Sequence, residues 1–153
     1  AVHDIAQSLP KHAVTLELLT PMRLTVGEKL AHQVVPRVFI QRLVERCQSM
    51  SEQYAEFAPD DAPPSRSDWI AAQAQLLADA DAVTVGYDET YWVDAFSGSR
   101  RTNRVSPIGG IVGRVRWEGP VEPLLPWLLW GSTLHVGKNA VKGSGYYRLI
   151  RDL

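Results

Sequence analysis

The sequence predicts an α+β domain: an antiparallel sheet with helices on one face, in the βαββαβ order of the ferredoxin-like unit, carrying one inserted helix. Three observations predict it. A segment of period-two apolar alternation is followed by a stripe of period three to four; β-branched and aromatic segments cluster in the middle; and an apolar helix precedes a short aromatic strand at the end. With 153 residues, 45% of them apolar and 22% charged, the chain suits one domain around one core.

Val14, Leu16 and Leu18 alternate with Thr15 and Glu17, predicting a half-buried strand. Thr20-Pro21 is expected to interrupt it, with Met22-Arg23-Leu24 resuming beyond a bend, because proline cannot donate to a ladder. After Pro36 a helix is predicted, its apolar stripe formed by Val35, Phe39, Leu43, Cys47, Met50 and Tyr54. An acidic, proline-rich loop from Ala58 to Pro64 follows. Ser65-Arg66-Ser67-Asp68 reads as a capping box opening the inserted helix, with Trp69, Ile70, Leu76 and Leu77.

Val83 to Tyr87 and Tyr91 to Phe96 are predicted as two strands, and Ser97 to Arg104 as a polar, basic connection. Ile111 to Trp117 is a further strand, with Ile111, Gly113, Val115 and Trp117 on one face and Val112, Arg114 and Arg116 on the other. Leu124 to Trp130 suits a heavily buried helix, opened by Pro123 and Pro126 and ended by Gly131. Tyr146 to Ile150 closes the plan as the last strand. Residues 14–153 are thus assigned to the domain, and 1–13 to an extension or linker from a preceding domain.

Cys47 is the only cysteine, which excludes an internal disulfide and argues against a cysteine-based zinc cluster. The histidines lack metal-ligand spacing, so neither metal nor cofactor is expected. No apolar run is long enough for a membrane span and no secretory signal opens the chain, so a cytoplasmic protein is expected.

The net charge of −1 hides an asymmetry. From Gly98 onward Arg100, Arg101, Arg104, Arg114, Arg116, Lys138, Lys142, Arg148 and Arg151 face only Glu118, Glu122 and Asp152. Such a segment is what a polyanion-binding face looks like in a near-neutral chain. The alternative is that Arg114 and Arg116 pair with acidic residues of the N-terminal part and hold the sheet face together.

The glycine-rich end, Gly131 to Gly145, superficially evokes a nucleotide-binding loop. A P-loop needs four residues between its glycines and a hydroxyl residue after the lysine; here five intervene between Gly131 and Gly137, and Asn139 follows Lys138. Nucleotide hydrolysis is rejected. What remains is a loop with Gly137, Gly143 and Gly145 and two lysines, whose exposed backbone N–H groups are suited to phosphate oxygens or, alternatively, merely permit tight packing. His135, beside it, is a low-ranking acid–base candidate and reads first as a hydrogen-bonded structural histidine.

Five segments carry a family resemblance: Pro107 to Val115, Trp117-Glu118-Gly119, Leu124-Leu125-Pro126, Leu134 to Lys138, and Gly143 to Tyr147. Together they resemble the C-terminal half of the CRISPR-associated pre-crRNA-processing endoribonucleases of the RAMP superfamily, whose domains share the RRM-like ferredoxin plan. Thr20-Pro21-Met22-Arg23-Leu24 is similar to the first-strand segment of that domain. Lys142, Ala140 and Tyr146 depart from residue types common there.

The resemblance implies two ferredoxin-like domains, of which this is the second. It also implies metal-independent cleavage of CRISPR repeat RNA, as part of antiviral defence, by attack of a 2′-hydroxyl on the adjacent phosphorus. The base is then a histidine of the first domain, so these residues alone are expected to bind RNA and cut poorly or not at all. Expected RNA contacts are Arg100, Arg101, Arg104, Arg114, Arg116, Lys138 and Lys142. The expected partners are repeat RNA, single-stranded or hairpin, and other CRISPR effector subunits. A non-catalytic guide-RNA or scaffold subunit, and a regulatory ferredoxin-like domain without a nucleic-acid role, stay open as alternatives.

Overall fold

A computed structural model describes residues 1–151; the last two residues of the domain assigned to 14–153 lie outside it. Helix α1 (Val2–Ser8) precedes strand β1 (Ala13–Met22) and a small ribbon of β2 (Thr25–Val26) and β3 (Lys29–Leu30). Helices α2 (Pro36–Tyr54) and α3 (Arg66–Asp81) follow, then β4 (Thr84–Val93), β5 (Phe96–Ser99), β6 (Arg104–Pro107) and β7 (Gly110–Glu118). A 3₁₀ turn (Glu122–Leu124) leads into α4 (Leu125–Leu134), a second turn (Ala140–Lys142) and β8 (Tyr147–Ile150).

The sheet order is β4-β7-β1-β8, with antiparallel pairing throughout. Counting only its four strands, that is the ferredoxin-like arrangement: the first and third strands lie centrally and each helical crossover returns over the same face. Leu16, Leu18, Val115, Trp117 and Tyr147 point to that face and meet Phe39, Ile40 and Leu43 of α2 and Leu125 and Leu128 of α4. Phe39 is the hub, its ring edge-on to Trp117 at 5.4 Å and to Tyr147 at 5.2 Å. Residues 1–13 contribute α1, whose Ala6 is buried in the same core.

Several local expectations change. β1 runs through Thr20-Pro21 rather than breaking there, because the backbone N–H groups of Leu19 and Thr20 both reach the Tyr146 carbonyl, a bulge that absorbs the proline. Val83–Tyr87 and Tyr91–Phe96 are not two strands; Thr84 to Val93 is one continuous edge strand along β7, and Phe96 begins the next element. The basic connection Ser97–Arg104 belongs to a separate hairpin, β5–β6.

Val35 and Tyr54 fall outside the buried stripe of α2, being 41% and 71% exposed, because the helix overhangs the core at both ends. Gly131 does not end α4 but lies inside it, where a Cβ would stand 2.3 Å from the Tyr147 hydroxyl. The helix ends at His135, which takes φ 62°. The capping box is as expected: the Asp68 N–H donates to Ser65 Oγ and the Ser65 N–H to the Asp68 carboxylate, holding that carboxyl below its ordinary pKa. Among the described residues no helix is long and apolar enough to cross a membrane.

Candidate nucleic-acid interface

At the end of the sheet where Val93 of β4 pairs with Gly110 of β7, the chain between these strands forms the separate β5–β6 hairpin, an arm. Its base is fixed by the N–H groups of Ile108 and Gly109, which both donate to the Ala95 carbonyl. Arg100 and Arg101 occupy the tip, and Arg104 pairs with Ser99 across the ribbon. All three arginines are exposed and have no ion-pair partner among the described residues.

The glycine-rich loop comes to the same end of the sheet. The Lys138 N–H donates to the Arg23 carbonyl at 3.0 Å, and the Gly145 N–H to that of Pro21 at 3.0 Å. Thr20 Oγ1 donates to the Gly143 carbonyl and accepts from the Tyr146 N–H. Arg23 is the junction between loop and arm: its guanidinium donates to the Gly109 carbonyl at 2.6 Å and lies 5.9 Å from the Trp92 ring centre. In sequence Arg23 belongs to the resumed strand Met22-Arg23-Leu24 and to the segment of family resemblance, and no local pattern announces a contact between residues so far apart along the chain.

Two glycines of the loop are demanded by packing against the protein itself. At Gly145, with φ +76°, a Cβ would stand 1.9 Å from the Val136 carbonyl oxygen; at Gly137, with φ +93°, 2.4 Å from that of Arg23. Gly143 faces open space, and Lys138 and Lys142 are exposed and unpaired among the described residues. The loop is therefore clamped at both ends while its lysines project from between the clamps.

Arg114 and Arg116 do share the open face of the sheet, but they are engaged. Across the four strands runs the row Glu89, Arg114, Glu17, Arg148. The Glu17 carboxylate lies 3.6 Å from Arg114 and 3.1 Å from Arg148, while Arg116 pairs with Glu118 at 3.1 Å. The expected pairing with the N-terminal part is thus present for Arg114. Tyr87, Tyr91 and Val112 lie on the same face by strand register. In sequence Glu17 is only a polar position of the first strand and Arg148 only one cation of the basic segment, because the register that joins them is not a local property.

His135 donates through Nδ1 to the Ser144 carbonyl at 3.2 Å, since a carbonyl can only accept, and its ring leans on Tyr146 at 5.3 Å. That fits the structural reading of this residue. Among the described residues no group of three His, Cys, Asp or Glu is placed to hold a metal ion.

The sequence model of CRISPR-associated endoribonuclease Cas6 matches residues 16–147. No curated protein matches the chain. Among solved structures, a Thermus thermophilus Cas6 superposes with a TM-score of 0.65 at 15% identity, over 96% of this chain and 57% of its own. A second Cas6, solved as a product complex, gives 0.58 at 19% identity, over 98% and 58%. A partial Cas6-RT-Cas1–Cas2 complex gives 0.64 at 17% identity, over 94% of this chain and 23% of that one. At such identities the likeness is one of fold, and the chain spans a little over half the length of the first two.

Proposed function

This chain belongs to the CRISPR-associated endoribonuclease Cas6 family, and we propose that it is the repeat-RNA-binding domain of such an enzyme, the C-terminal of two ferredoxin-like domains. One observation carries the proposal. Arg23 ties the arm to the glycine-rich loop, so that five cations without an ion-pair partner among the described residues, Arg100, Arg101, Arg104, Lys138 and Lys142, stand at one end of the sheet. Arginines on a ribbon tip suit phosphates and guanine edges, and the lysines between clamped glycines add point charges along the same backbone.

Arg114 and Arg116 extend this surface across the sheet, where an RNA phosphate would compete with Glu17 and Glu118 for them. Relatives solved as product and substrate-mimic complexes support RNA as the partner, and the Cas6-RT-Cas1–Cas2 complex supports other CRISPR proteins as further partners.

In the whole enzyme the reaction is cleavage without metal. The 2′-hydroxyl loses its proton to a base and attacks the adjacent phosphorus; the 5′-oxygen leaves with a proton from an acid, giving a cyclic phosphate and a 5′-hydroxyl. A cation offsets the charge of the phosphorane. Following the family resemblance, we assign the base to a histidine of a preceding domain and give this domain the task of holding the RNA; His135, its Nδ1 proton donated to the Ser144 carbonyl, holds the glycine-rich loop. The setting is the cytoplasm, in antiviral defence.

The test is binding of the full-length protein to its repeat RNA by fluorescence anisotropy. Arg100→Ala with Arg101→Ala should weaken binding by about 10- to 100-fold and flatten the salt slope by about 1.4, with the melting curve unchanged. Unaltered affinity would place the binding face elsewhere. Cleavage of that RNA in excess chelator, leaving a cyclic phosphate, checks the chemistry and separates an enzyme from a scaffold.

A further inference from the structure

On the face of the sheet turned away from the helices, the edge strand β4 places Tyr87, Glu89 and Tyr91 opposite Arg116, Arg114 and Val112 of β7. The other strands of the sheet bring charge to that face but no aromatic ring. Tyr91 is 62% and Tyr87 38% exposed. Among the described residues neither tyrosine side chain makes a hydrogen bond or a ring contact. By contrast, the buried Tyr147 is bonded to Leu128, and Tyr146 leans on His135. The opposite face of the same stretch of β4 carries Asp88 and Thr90, which are bonded to one another. Strand propensity accounts for tyrosines in β4, but not for two unpacked rings beside the arginines of the open face.

The chemistry of this face selects its occupant. Open phenol rings stack on nucleobases, while guanidinium groups beside them hold phosphates. Arg114 and Arg148 flank Glu17, yet their side chains are 54% and 58% exposed, so each has donors to spare for a phosphate. Glu89 stands between the two rings on the outer strand. Its carboxylate repels phosphate and accepts from base amino groups, which turns the bases towards β4 and the backbone towards the inner strands. Four residues separate Tyr87 from Tyr91, about 13 Å along an extended strand. In a duplex every base is covered on both sides by its neighbours, so only unstacked bases can reach the two rings. Tyr91 lies two residues before Val93, the end of the sheet from which the arm departs, so this face continues the surface of the arm.

We propose that the open sheet face is a second RNA subsite that takes a single-stranded stretch of the repeat. One base stacks on Tyr91, another on Tyr87, and the phosphates between them lie on Arg114 and Arg148. This rests on the repeat-RNA reading and adds the strandedness of the substrate, which the cations of the arm and loop do not decide.

Anisotropy with the full-length protein tests it, using the repeat RNA and the same RNA annealed to its complement. Tyr91→Ala should weaken binding of the single strand by about 5- to 100-fold, with Tyr87→Ala acting in the same direction. The salt slope should stay as it is, because no charge is removed, and duplex affinity should not move. Tyr91→Phe keeps the ring and should hold affinity within about threefold of wild type. Repeat RNAs lacking one base, taken position by position, should include one whose loss of affinity in the wild type vanishes in Tyr91→Ala; a merely structural tyrosine gives no such coupling. Equal weakening on both RNAs, or a phenylalanine variant as weak as the alanine one, would overturn the proposal. So would a lowered melting temperature without RNA, the sign of a face packed against another domain. Single-strand affinity unchanged in both alanine variants would also overturn it. In that case the repeat-RNA reading survives if Arg100→Ala with Arg101→Ala still weakens binding, and falls with it if not.

Discussion

Cys47 lies on the buried face of α2, where loss of hydration pushes its thiol up to about 11. The folded protein therefore holds that proton more tightly than the unfolded chain. Stability should be constant through neutral pH and fall as pH climbs from about 9 towards 11, by on the order of 2–3 kcal/mol at full ionisation. Tyr147, also raised by burial, donates to the Leu128 carbonyl at 2.5 Å and adds its own loss at higher pH. Urea midpoints against pH should show the fall beginning near pH 9 in the wild type and only near pH 10 in Cys47→Ala; identical onsets would mean that the thiol is not what titrates. The lone cysteine, legible in sequence as one residue of a helix stripe, is on this reading an inert core group.

At the scale of the element, the sheet face is held by register. Glu17 on β1 bridges Arg114 on β7 and Arg148 on β8, its side chain only 16% exposed. Glu17→Gln removes the one carboxylate between two arginines. It should cost about 1 kcal/mol of stability, as expected for pairs with open arginine ends, while repeat-RNA affinity rises and the salt dependence steepens. Anisotropy titrations at two ionic strengths check it; affinity unchanged at both would confine the RNA to the arm and loop. The alternation in β1 and β7 was visible in the sequence, and so was which face Arg114 and Arg116 share. The partner was not, because strand pairing couples residues about a hundred positions apart and a bulge at Leu19-Thr20 resets the register beyond it.

At the scale of the molecule, one core couples every layer. Phe39 on α2 touches Trp117 and Tyr147 on two different strands. Phe39→Ala should therefore cost about 3–5 kcal/mol and lower a single cooperative transition, not split it, by calorimetry or urea unfolding. Two transitions would mean that the sheet and the helices unfold as separate units. Charge is divided on the same scale: the stretch from Met50 to Ser65, after the buried part of α2, holds four carboxylates and no lysine or arginine, whereas the cations unpaired among the described residues stand at the arm end of the sheet. A net charge near zero conceals this division.

By itself the sequence determined the element order and the antiparallel ferredoxin-like plan, because period-two and period-3.6 patterns decide locally which face of each segment leaves water. It determined the capping box for the same reason, and it carried the segments by which the family was recognised. The tertiary structure alone decided that Arg23 joins the glycine-rich loop to the arm, that Glu17 sits between two arginines, and that a basic connection is a ribbon with an apolar face. It also turned Gly131 from the end of a helix into the place where α4 meets Tyr147. Each of these depends on distant backbones approaching within a hydrogen bond or a methyl group of one another, and no local sequence pattern encodes such a distance.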